Sequence, residues 1–392
     1  MPKVFEVKNL YYITHIGNLS SIVGNGIFSH REVERRGIHV TPVYDADIVE
    51  SRKNRITPDG KSLWNYANLY FQPRNPMLYR IVAEKDKNEI AILAIRKEVL
   101  NAPGVFVTTG NAASVATDIL LPQQGLKEIR QLSSILMSEY WKEEDGSKRK
   151  IMAECLIPER VPPEFIDTIF VANHVAAEKV KQVVPDAGIS IIPEPLMYFQ
   201  PARQIKIAPN ISLNEGDMFF SQLQTLTISV NTVGVMGKGL ASRAKYQFPD
   251  VYVYYQDLCK QQKLAMGKPY LYKRESFLDF ELADNPTNLS KPNSKKWFLL
   301  FPTKRHWKEG SDLAGIQQGL EWLLNNYRTE GVTSIAMPAL GCGLGGLEWQ
   351  DVGPLMCKYL RQMKVMAAIY LPREKQISEK FLTKEYLLET EA

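Results

Sequence analysis

The sequence predicts a protein of two domains, a mixed α+β domain followed by an α/β domain. At 392 residues the chain is long enough for two hydrophobic cores. Its first half contains many short strands and few helices, whereas its second half twice runs from an apolar strand through a glycine-rich loop into a helix. Prolines between positions 193 and 209 mark a linker near 199–208. We therefore expect domains at 1–203 and 204–372, followed by a charged tail at 373–392 that forms a solvated helix.

Hydrophobic periodicity assigns the elements of the first domain. A helix beginning near Gly17 is expected to end at the glycines 24–26, and two longer helices are predicted at 125–141 and 174–184. The predicted strands are 10–15, 68–71, 77–82, 90–95, 105–108, 153–157, 168–172 and 189–192.

Composition excludes several classes of protein. The hydrophobic fraction of 45% and the charged fraction of 23% are those of an ordinary globular protein. No apolar run is long enough to span a bilayer, and the start of the chain lacks the apolar region of a signal peptide, so no membrane partner is expected. The four cysteines show no CxxC spacing, which predicts reduced thiols in a cytoplasmic protein and no metal site. The net charge of +5 does not by itself indicate a polyanionic partner.

Two glycine-rich loops in the second half are the most informative feature of the chain. The first follows the apolar stretch 226–230, starts at Asn231 and carries glycines at 234, 237 and 239 before a helix begins near Leu240. The second, ALGCGLGGLEW at 339–349, also leaves an apolar strand and precedes a helix. Glycines allow positive φ and close backbone approach, and a helix start directs N–H groups towards an anion. The first loop fits neither GxGxxG nor Walker A, so the pair indicates a different pyrophosphate site.

These loops, together with the upstream segment NEGDM at 214–218, resemble the macrodomain family, whose three-layer α/β/α fold binds ADP-ribose. The resemblance covers about residues 205–369. It implies that Asp217 holds the adenine, that the first loop lines the distal ribose and that the second loop wraps the diphosphate. The implied ADP-ribose-binding residues are Asp217, Asn231, Thr232, Gly237, Gly239, Leu240, Thr303, Gly341, Cys342, Gly343, Leu344 and Gly345.

A lysine follows the next apolar strand, in the segment WFLLFPTKRHW at 297–307. A lysine at a strand end usually forms a salt bridge. With the two glycine loops, however, this segment resembles DarG, the macrodomain antitoxin paired with DarT toxins. The resemblance implies that Lys304 is catalytic, either attacking the anomeric carbon when partly deprotonated or holding the departing base through hydrogen bonds. Lys238 is the other candidate. Relatives can carry Asp where this chain has Gly345, so the general acid/base is not assigned.

Three features of the first half carry chemistry. His15 ends a strand in the segment YITHIGN, with Thr14 before it and Asn18 at the following helix start. Arg52 lies in the basic segment SRKNR, and Glu154 lies in an apolar strand, where it either faces water or lines a cleft. Each feature also has an ordinary interpretation: His15 as a structural histidine, the Arg52 segment as a solvated loop, and Glu154 as a residue on an exposed strand face.

The order THxxN, an arginine-rich segment, NLYFxPRNPMLY and AExLIP resembles the DarT-type ADP-ribosyltransferases, which attach ADP-ribose from NAD to bases of single-stranded DNA. The match covers residues 5–200. It implies a transferase-like α+β fold in which Arg52 and Glu154 are catalytic. A carboxylate stabilises the oxocarbenium character that develops as nicotinamide leaves, and an arginine binds the pyrophosphate. The implied NAD-binding residues are Thr14, His15, Asn18, Arg52 and Met77. Candidates for base stacking are Tyr66, Tyr70, Phe71, Tyr140 and Trp141.

Together, the two resemblances predict a fused toxin–antitoxin enzyme. The first domain is expected to transfer ADP-ribose from NAD to a base of single-stranded DNA, with thymine the expected base, and the macrodomain to remove it. NAD is then a substrate and ADP-ribose a ligand, and the two domains are candidates for an intramolecular contact. Two alternatives stay open. One is an RNA 2′-phosphotransferase joined to a macrodomain for its ADP-ribose-phosphate product, which would not need Glu154. The other is an ADP-ribose reader joined to an inactive transferase.

Overall fold

The structure is a computed structural model that describes residues 4–44, 50–185, 188–284, 289 and 295–388. Residue contacts divide the chain into two compact units, Met1–Phe199 with Asp279–Pro292, and Gln200–Leu278 with Asn293–Ala392. The first boundary lies slightly before the predicted one. The prediction of a linker at 199–208 is wrong over most of its length, because Arg203–Ala208 already forms a strand of the second unit. In the part of the chain that the structure describes, no helix is long and apolar enough to cross a membrane.

The first unit is built on an eight-stranded sheet with the order β10-β9-β4-β1-β3-β7-β5-β6. All neighbours in it pair antiparallel except β10 and β9, which are parallel. The first unit's strands, including the small β2–β8 pair, are β1 (Asn9–His15), β2 (Ile27–Phe28), β3 (Tyr66–Tyr70), β4 (Ile90–Arg96), β5 (Phe106–Thr108), β6 (Ile119–Leu120), β7 (Glu154–Pro158), β8 (Arg160–Val161), β9 (Ile166–Val171) and β10 (Ser190–Pro193). Apart from 77–82, every strand that the sequence predicts here is present.

The segment predicted as a strand at 77–82 is a helix, α3 (Pro76–Glu84). The Asn75 side chain caps it by accepting the Leu78 N–H, and Pro76 occupies the first turn, where its missing N–H costs nothing. These two local signals override the β-propensity of the apolar residues that follow. This helix is important for the site because it carries Met77.

The remaining helices of the first unit lie mostly where periodicity places them, although the helix expected at 125–141 stops at Leu136. They are α1 (Leu19–Asn25), α2 (His30–Arg36), α4 (Pro122–Gln131), α5 (Ser133–Leu136), α6 (Ser147–Lys150) and α7 (His174–Val183). Leu10, Leu93 and Ile169, on three adjacent strands, are completely buried in the main core.

The second unit has a seven-stranded sheet with the order β11-β12-β17-β16-β13-β15-β14. The five central strands are parallel, and the two edge strands are antiparallel to their neighbours. Its strands are β11 (Arg203–Ala208), β12 (Ile211–Glu215), β13 (Thr225–Asn231), β14 (Tyr270–Tyr272), β15 (Trp297–Lys304), β16 (Ser334–Pro338) and β17 (Met366–Tyr370). The carboxyl ends of parallel strands share one edge, where α/β sheets bind ligands.

Helices cover both faces of this second sheet. Leu299 of β15 lies in one apolar cluster with Ile316 and Val352 from two helices. Phe298 points to the opposite face and contacts Phe248, with ring centroids 4.8 Å apart. The predicted three-layer arrangement is thus present. Its helices are α8 (Gly239–Gln247), α9 (Pro249–Lys260), α11 (Leu313–Glu330) and α12 (Trp349–Leu360), and the short helix α10 (Leu278–Leu282) belongs from Asp279 onwards to the first unit.

The charged tail packs against the second unit, so the expectation of a solvated helix is wrong. Its helix α13 (Lys384–Leu388) buries Leu387, and Leu382 is buried just before it. The Trp349 indole N–H donates to the Phe381 carbonyl at 2.9 Å. Leu382 and Leu387, with the partly buried Ile377, Phe381, Tyr386 and Leu388 around them, therefore hold the tail on the core of the second unit.

Candidate functional sites

An ion pair joins Arg52 to Glu154 inside the first unit. Arg52 lies in a short 3-10 turn, Ser51–Asn54, and Glu154 is the first residue of β7. The guanidinium donates from Nη2 to Oε2 at 2.9 Å and from Nη1 to Oε1 at 3.3 Å. Side-chain exposure is 11% for Arg52 and 0% for Glu154. Glu154 thus does not face water: it is buried beside its charged partner.

The surroundings of Arg52 favour its charged form. Burial opposes the positive charge of Arg52, but the Glu154 carboxylate and its hydrogen bonds outweigh burial and raise the pKa of Arg52. The Ala112 N–H adds a third hydrogen bond, donating to Glu154 Oε1 at 2.8 Å. Lys53, by contrast, pairs with Glu50 at the surface.

The loop that supplies the Ala112 N–H is itself held by two arginines. Arg55 Nη2 donates to the Thr117 carbonyl at 2.9 Å, and Arg149 Nη1 donates to the Thr117 hydroxyl at 2.9 Å. The three basic side chains of the SRKNR segment thus have different partners: Glu154 for Arg52, surface carboxylates for Lys53 and the loop backbone for Arg55.

A cavity of about 370 Å³ lies beside Arg52, within the range of small-molecule sites. Met77 also lines it and accepts a hydrogen bond from the Tyr70 hydroxyl at 3.1 Å. Burial, and then the neighbouring Glu154 carboxylate, raises the pKa of Tyr70 well above its ordinary value. Other lining side chains are His30, Tyr44, Asn68, Arg80, Glu84, Asn111, Ser114 and Asp284. None of these eight was singled out from the sequence, because they come from segments far apart in the chain.

His30 begins α2 and stacks on Trp64, with ring centroids 4.3 Å apart. Burial lowers the pKa of His30 to about 4, and the positive charges of Arg52 and Lys53 act in the same direction. The imidazole is therefore neutral at pH 7 and presents an uncharged ring to the cavity.

The residues Thr14, His15 and Asn18 form a hydrogen-bonded cluster that does not line the cavity directly. The Asn18 amide donates to the Thr14 hydroxyl at 3.1 Å and to the Thr41 carbonyl at 2.9 Å. His15 Nδ1 accepts the Gly17 N–H at 2.9 Å. Thr41 lies two residues before Val43, which does line the cavity, so the two groups of predicted NAD-binding residues are close along the chain.

The five aromatic candidates for base stacking do not form an exposed platform. Tyr66, Phe71 and Trp141 are buried, and Tyr140 is partly buried. Tyr70 is also buried, but of the five it is the one that lines the cavity. Core packing accounts for the others.

In the second unit, the first glycine loop is organised by Asn231 at the end of β13. The Asn231 side chain accepts the Val233 N–H at 3.0 Å and donates to the Val235 carbonyl at 2.6 Å. The buried Tyr255 hydroxyl donates to the Asn231 side chain at 2.9 Å. Thr232 donates from both N–H and hydroxyl to the Arg305 carbonyl, which ties this loop to the segment after β15.

The second glycine loop lies against the first. A Cβ on Gly239, whose φ is +59°, would be 3.1 Å from Leu344 Cδ1. A Cβ on Gly345 would be only 2.3 Å from Ser311 Oγ and 2.4 Å from the Gly341 carbonyl oxygen. Cys342 is buried, which raises the pKa of its thiol to about 12, so it acts as an apolar packing group. This loop therefore requires glycine at 345 for steric reasons.

Lys304 lies at the same edge of the sheet. It ends β15 and is in register with Asn231 of β13. Its Nζ donates to the Glu309 carbonyl at 2.8 Å, and the preceding Thr303 is buried and accepts the Asp312 N–H at 2.8 Å. The structure thus brings Lys304 close to the start of the first loop, as the sequence predicts for a site at the strand ends.

Asp217 follows β12, another strand that ends at this edge. Its carboxylate accepts the Phe219 N–H at 3.0 Å and pairs with Arg243 Nη1 at 2.7 Å. A more distant contact, 3.9 Å, joins it to Arg373 Nη2. Arg243 also stacks over Phe219 at 4.7 Å from the ring centroid, and it is not among the residues that the sequence motifs predict. Within the described residues, no group of three or more His, Cys, Asp or Glu side chains is arranged to hold a metal ion.

The geometry defines a class of protein: one unit with an Arg–Glu pair at a cavity, and one α/β unit with two apposed glycine loops at its strand ends. The DarT family profile, described as ssDNA thymidine ADP-ribosyltransferase, matches residues 11–199. The Macro domain profile matches residues 288–356. The chain thus joins a DarT-type transferase unit to a macrodomain.

Similarity to known proteins extends over both units. The chain is 54% identical over 384 residues to a Thermosipho africanus DNA ADP-ribosyl transferase-DNA ADP-ribosyl glycohydrolase fusion protein, covering 98% of this chain and 99% of that one. The solved structure of Thermosipho africanus DarTG in complex with ADP-ribose has 53% identity and a TM-score of 0.92, covering 97% and 99%. A Mycobacterium tuberculosis DNA ADP-ribosyl glycohydrolase is 33% identical over 162 residues, 41% of this chain and 42% of that protein.

The chain therefore belongs to the family of DarT–DarG fusion proteins. It is an enzyme of two activities, an ADP-ribosyltransferase with NAD as substrate and a macrodomain glycohydrolase with ADP-ribose as ligand. This membership favours the toxin–antitoxin hypothesis over the RNA 2′-phosphotransferase and the inactive reader.

Proposed function

We propose that Arg52 and Glu154 transfer ADP-ribose from NAD to thymine in single-stranded DNA, and that Lys304 serves the removal of this group. The observation that carries the proposal is the buried Arg52–Glu154 pair beside the cavity. The DarT profile, whose description names ssDNA thymidine, supports the choice of base. A base must leave the helical stack to be reached, which accounts for the preference for a single strand.

The resting pair suggests how NAD activates the site. Both Glu154 oxygens are held by Arg52 in this structure. The NAD pyrophosphate competes for the guanidinium, because phosphate oxygens accept the same paired N–H donors. Glu154 then stabilises the oxocarbenium character at the anomeric carbon as the nicotinamide bond breaks, and takes the proton from the attacking ring nitrogen. Nicotinamide leaves with the bonding electron pair.

The remaining predicted NAD contacts fit supporting roles. Met77 lines the cavity directly. The Thr14–Asn18 cluster orders the backbone at Thr41, next to the cavity wall. We assign to Thr14, His15 and Asn18 the role of holding NAD in a reactive geometry. They orient the substrate and do not take part in the chemical step.

In the macrodomain, the apposed glycine loops are proposed to bind the diphosphate and distal ribose of the ADP-ribose, with Asp217 at the adenine. Lys304, at the adjoining strand end, either attacks the anomeric carbon or holds the departing base. Joining both activities in one chain keeps the macrodomain at high effective concentration near each new product. The four cysteines form no disulfide, which supports placing these reactions in the cytoplasm.

The test uses the full chain, NAD and a thymine-containing single-stranded oligonucleotide, analysed by mass spectrometry. We expect Lys304→Ala to accumulate DNA bearing one ADP-ribose, and the wild type to show it only transiently. Adding Glu154→Ala to that variant should reduce accumulation by about 10³-fold, the usual range for a catalytic proton-transfer group.

Two controls make the result specific. Lys308→Ala removes a lysine near Lys304 that stacks on Trp307, and should remove ADP-ribose as the wild type does. An oligonucleotide without thymine should remain unmodified. Modified DNA in the Glu154→Ala background, or unimpaired removal by Lys304→Ala, would contradict the assigned roles.

A further inference from the structure

A short segment from the second half of the sequence belongs to the first unit. Residues 279–284 follow β14 and precede β15 of the second sheet in sequence, yet their contacts place them with Met1–Phe199. This segment begins within the short helix α10 and ends at the cavity beside Arg52. We call residues 279–284 the strap.

Three hydrogen bonds fix the strap in place. The Tyr79 hydroxyl donates to Asp279 Oδ1 at 2.8 Å, and each residue is 2% exposed. The Trp141 indole N–H donates to the Leu282 carbonyl at 2.8 Å. The Asp284 N–H donates to the Pro76 carbonyl at 3.1 Å. Leu282 and Ala283 are themselves buried, so the strap is a packed part of the unit.

The end of the strap brings a carboxylate to the cavity. Asp284 lines it together with Arg52, Tyr70, Met77 and Arg80. Arg80 Nη1 donates to the Asp284 carbonyl oxygen at 3.4 Å, and Arg80 Nε lies 3.5 Å from Glu84 Oε2. The two arginines at the cavity are thus already engaged with acidic partners, Arg52 with Glu154 and Arg80 with Glu84.

We propose that the strap is a tethered inhibitor of NAD binding, and that the surface formed by Tyr79, Arg80 and Trp141 is its docking site. The pyrophosphate of NAD is an anion, so it is repelled by the Asp284 carboxylate and competes with the strap for Arg80. Because the strap belongs to the same chain, its effective concentration is on the order of millimolar, enough to compete with a metabolite. The inference rests on the NAD-binding role proposed above for this cavity.

The proposed inhibitor is a segment of this chain, so its contacts predict which substitutions release it from the cavity. Asp284→Asn removes the charge and leaves the backbone hydrogen bonds. Asp279→Ala leaves Asp284 intact but removes the buried acceptor of the Tyr79 hydroxyl. The two variants act on different ends of the strap, so a shared effect is attributable to the strap as a unit.

The experiment measures binding of a non-hydrolysable NAD analogue to the full chain by calorimetry. We expect Asp284→Asn and Asp279→Ala each to lower the Kd at least fivefold. Glu98→Ala, which removes an exposed carboxylate of the same unit that does not line the cavity, should leave the Kd unchanged. An unchanged or higher Kd in both strap variants would overturn the proposal, since a higher Kd makes Asp284 part of the NAD site.

A second readout separates this inference from the proposed transfer reaction. Nicotinamide release with NAD and single-stranded DNA counts each forward turnover, even if the macrodomain later removes the product. Tighter analogue binding without nicotinamide release would support the strap and contradict the transfer. Release on DNA with an unaltered Kd in both variants would support the transfer and contradict the strap.

Discussion

The two sites of this chain differ in whether side chains or backbone atoms form them. The first depends on side chains: Arg52 and Glu154 lie 102 residues apart in sequence and meet through two hydrogen bonds in a buried environment. The second depends on backbone: the two loops come close where Gly239 has no Cβ, and the second loop folds tightly on itself because Gly345 has none. One site is therefore sensitive to charge, and the other to volume.

This difference also sets how each site tolerates substitution. A buried charge that loses its partner keeps the full cost of having left water. A loop that gains a methyl group at a crowded position must move, and its N–H groups move with it. The two sites should consequently fail in distinguishable ways, one by loss of stability and the other by loss of ligand affinity.

The largest effect is expected from breaking the ion pair. Arg52→Leu should lower the free energy of unfolding of the first unit by about 3–5 kcal/mol, because Glu154 is left buried with the Ala112 N–H as its remaining charge-stabilising donor. Urea unfolding followed by circular dichroism measures the change. Lys53→Leu, at the adjacent surface pair, should change the free energy of unfolding far less, because water already screens that pair.

A double variant sharpens this comparison. Arg52→Leu combined with Glu154→Leu removes both charges, and should recover most of the lost stability while remaining inactive. Equal costs for the Arg52 and Lys53 substitutions would show that burial of the pair is not what distinguishes the first site.

A smaller effect is expected at the second glycine loop. Gly345→Ala places a Cβ within 2.4 Å of the Gly341 carbonyl oxygen, so the loop must shift. We expect ADP-ribose to bind about 10- to 100-fold more weakly, as for an overpacking cost of about 1–3 kcal/mol. Isothermal titration calorimetry with ADP-ribose measures this.

Gly343→Ala is the matched substitution two residues away. Its Cβ would have Glu374 Oε2 as its nearest contact, at 3.7 Å, so the loop has room for it. The thermal unfolding midpoint should fall in Gly345→Ala and stay near the wild-type value in Gly343→Ala. Similar midpoints for both variants would mean that the loop adapts, and that backbone crowding does not define this site.

The contrast between a side-chain site and a backbone site also explains which parts of each site the sequence predicts. Glycine loops after apolar strands are local signals, and both lie where they were expected, at the edge shared by the ends of β13 and β16. The parallel sheet then brings Asn231 and Lys304 into register without further information. A site built from backbone at strand ends is therefore largely readable from sequence.

The first site was only partly readable. The apolar strand around Glu154 was predicted, but not that Arg52 would make its burial possible, because nothing local joins the two residues. The apolar residues at 77–82 predict a strand where the structure has the helix Pro76–Glu84, because the cap at Asn75-Pro76 is a weaker signal than the apolar run that follows it. The strap was not predicted at all, since its partners Tyr79 and Trp141 are more than a hundred residues away.

The smallest predicted effect is on the pH dependence of the free energy of unfolding, which tests how sensitive the first site is to charge. The pKa of His30 is about 4 in the folded chain, below the ordinary value of 6.5, first because of burial and then because of Arg52 and Lys53. Between pH 6.5 and 4 the unfolded chain therefore binds more protons than the folded one, so the free energy of unfolding falls as pH falls. With allowance for partial exposure, the loss attributable to His30 is about 1–2 kcal/mol.

His30→Phe retains an aromatic ring for stacking on Trp64 but cannot titrate. Urea unfolding at pH 8 and pH 4.5 should therefore show a smaller pH-dependent loss in His30→Phe than in the wild type, whereas substitution of the exposed His39 by Phe should leave the loss unchanged. If the wild type and His30→Phe lose the same free energy over this range, then neither burial nor the positive charge of Arg52 lowers the pKa of His30. In that case the charge sensitivity of the first site is confined to the Arg52–Glu154 pair itself.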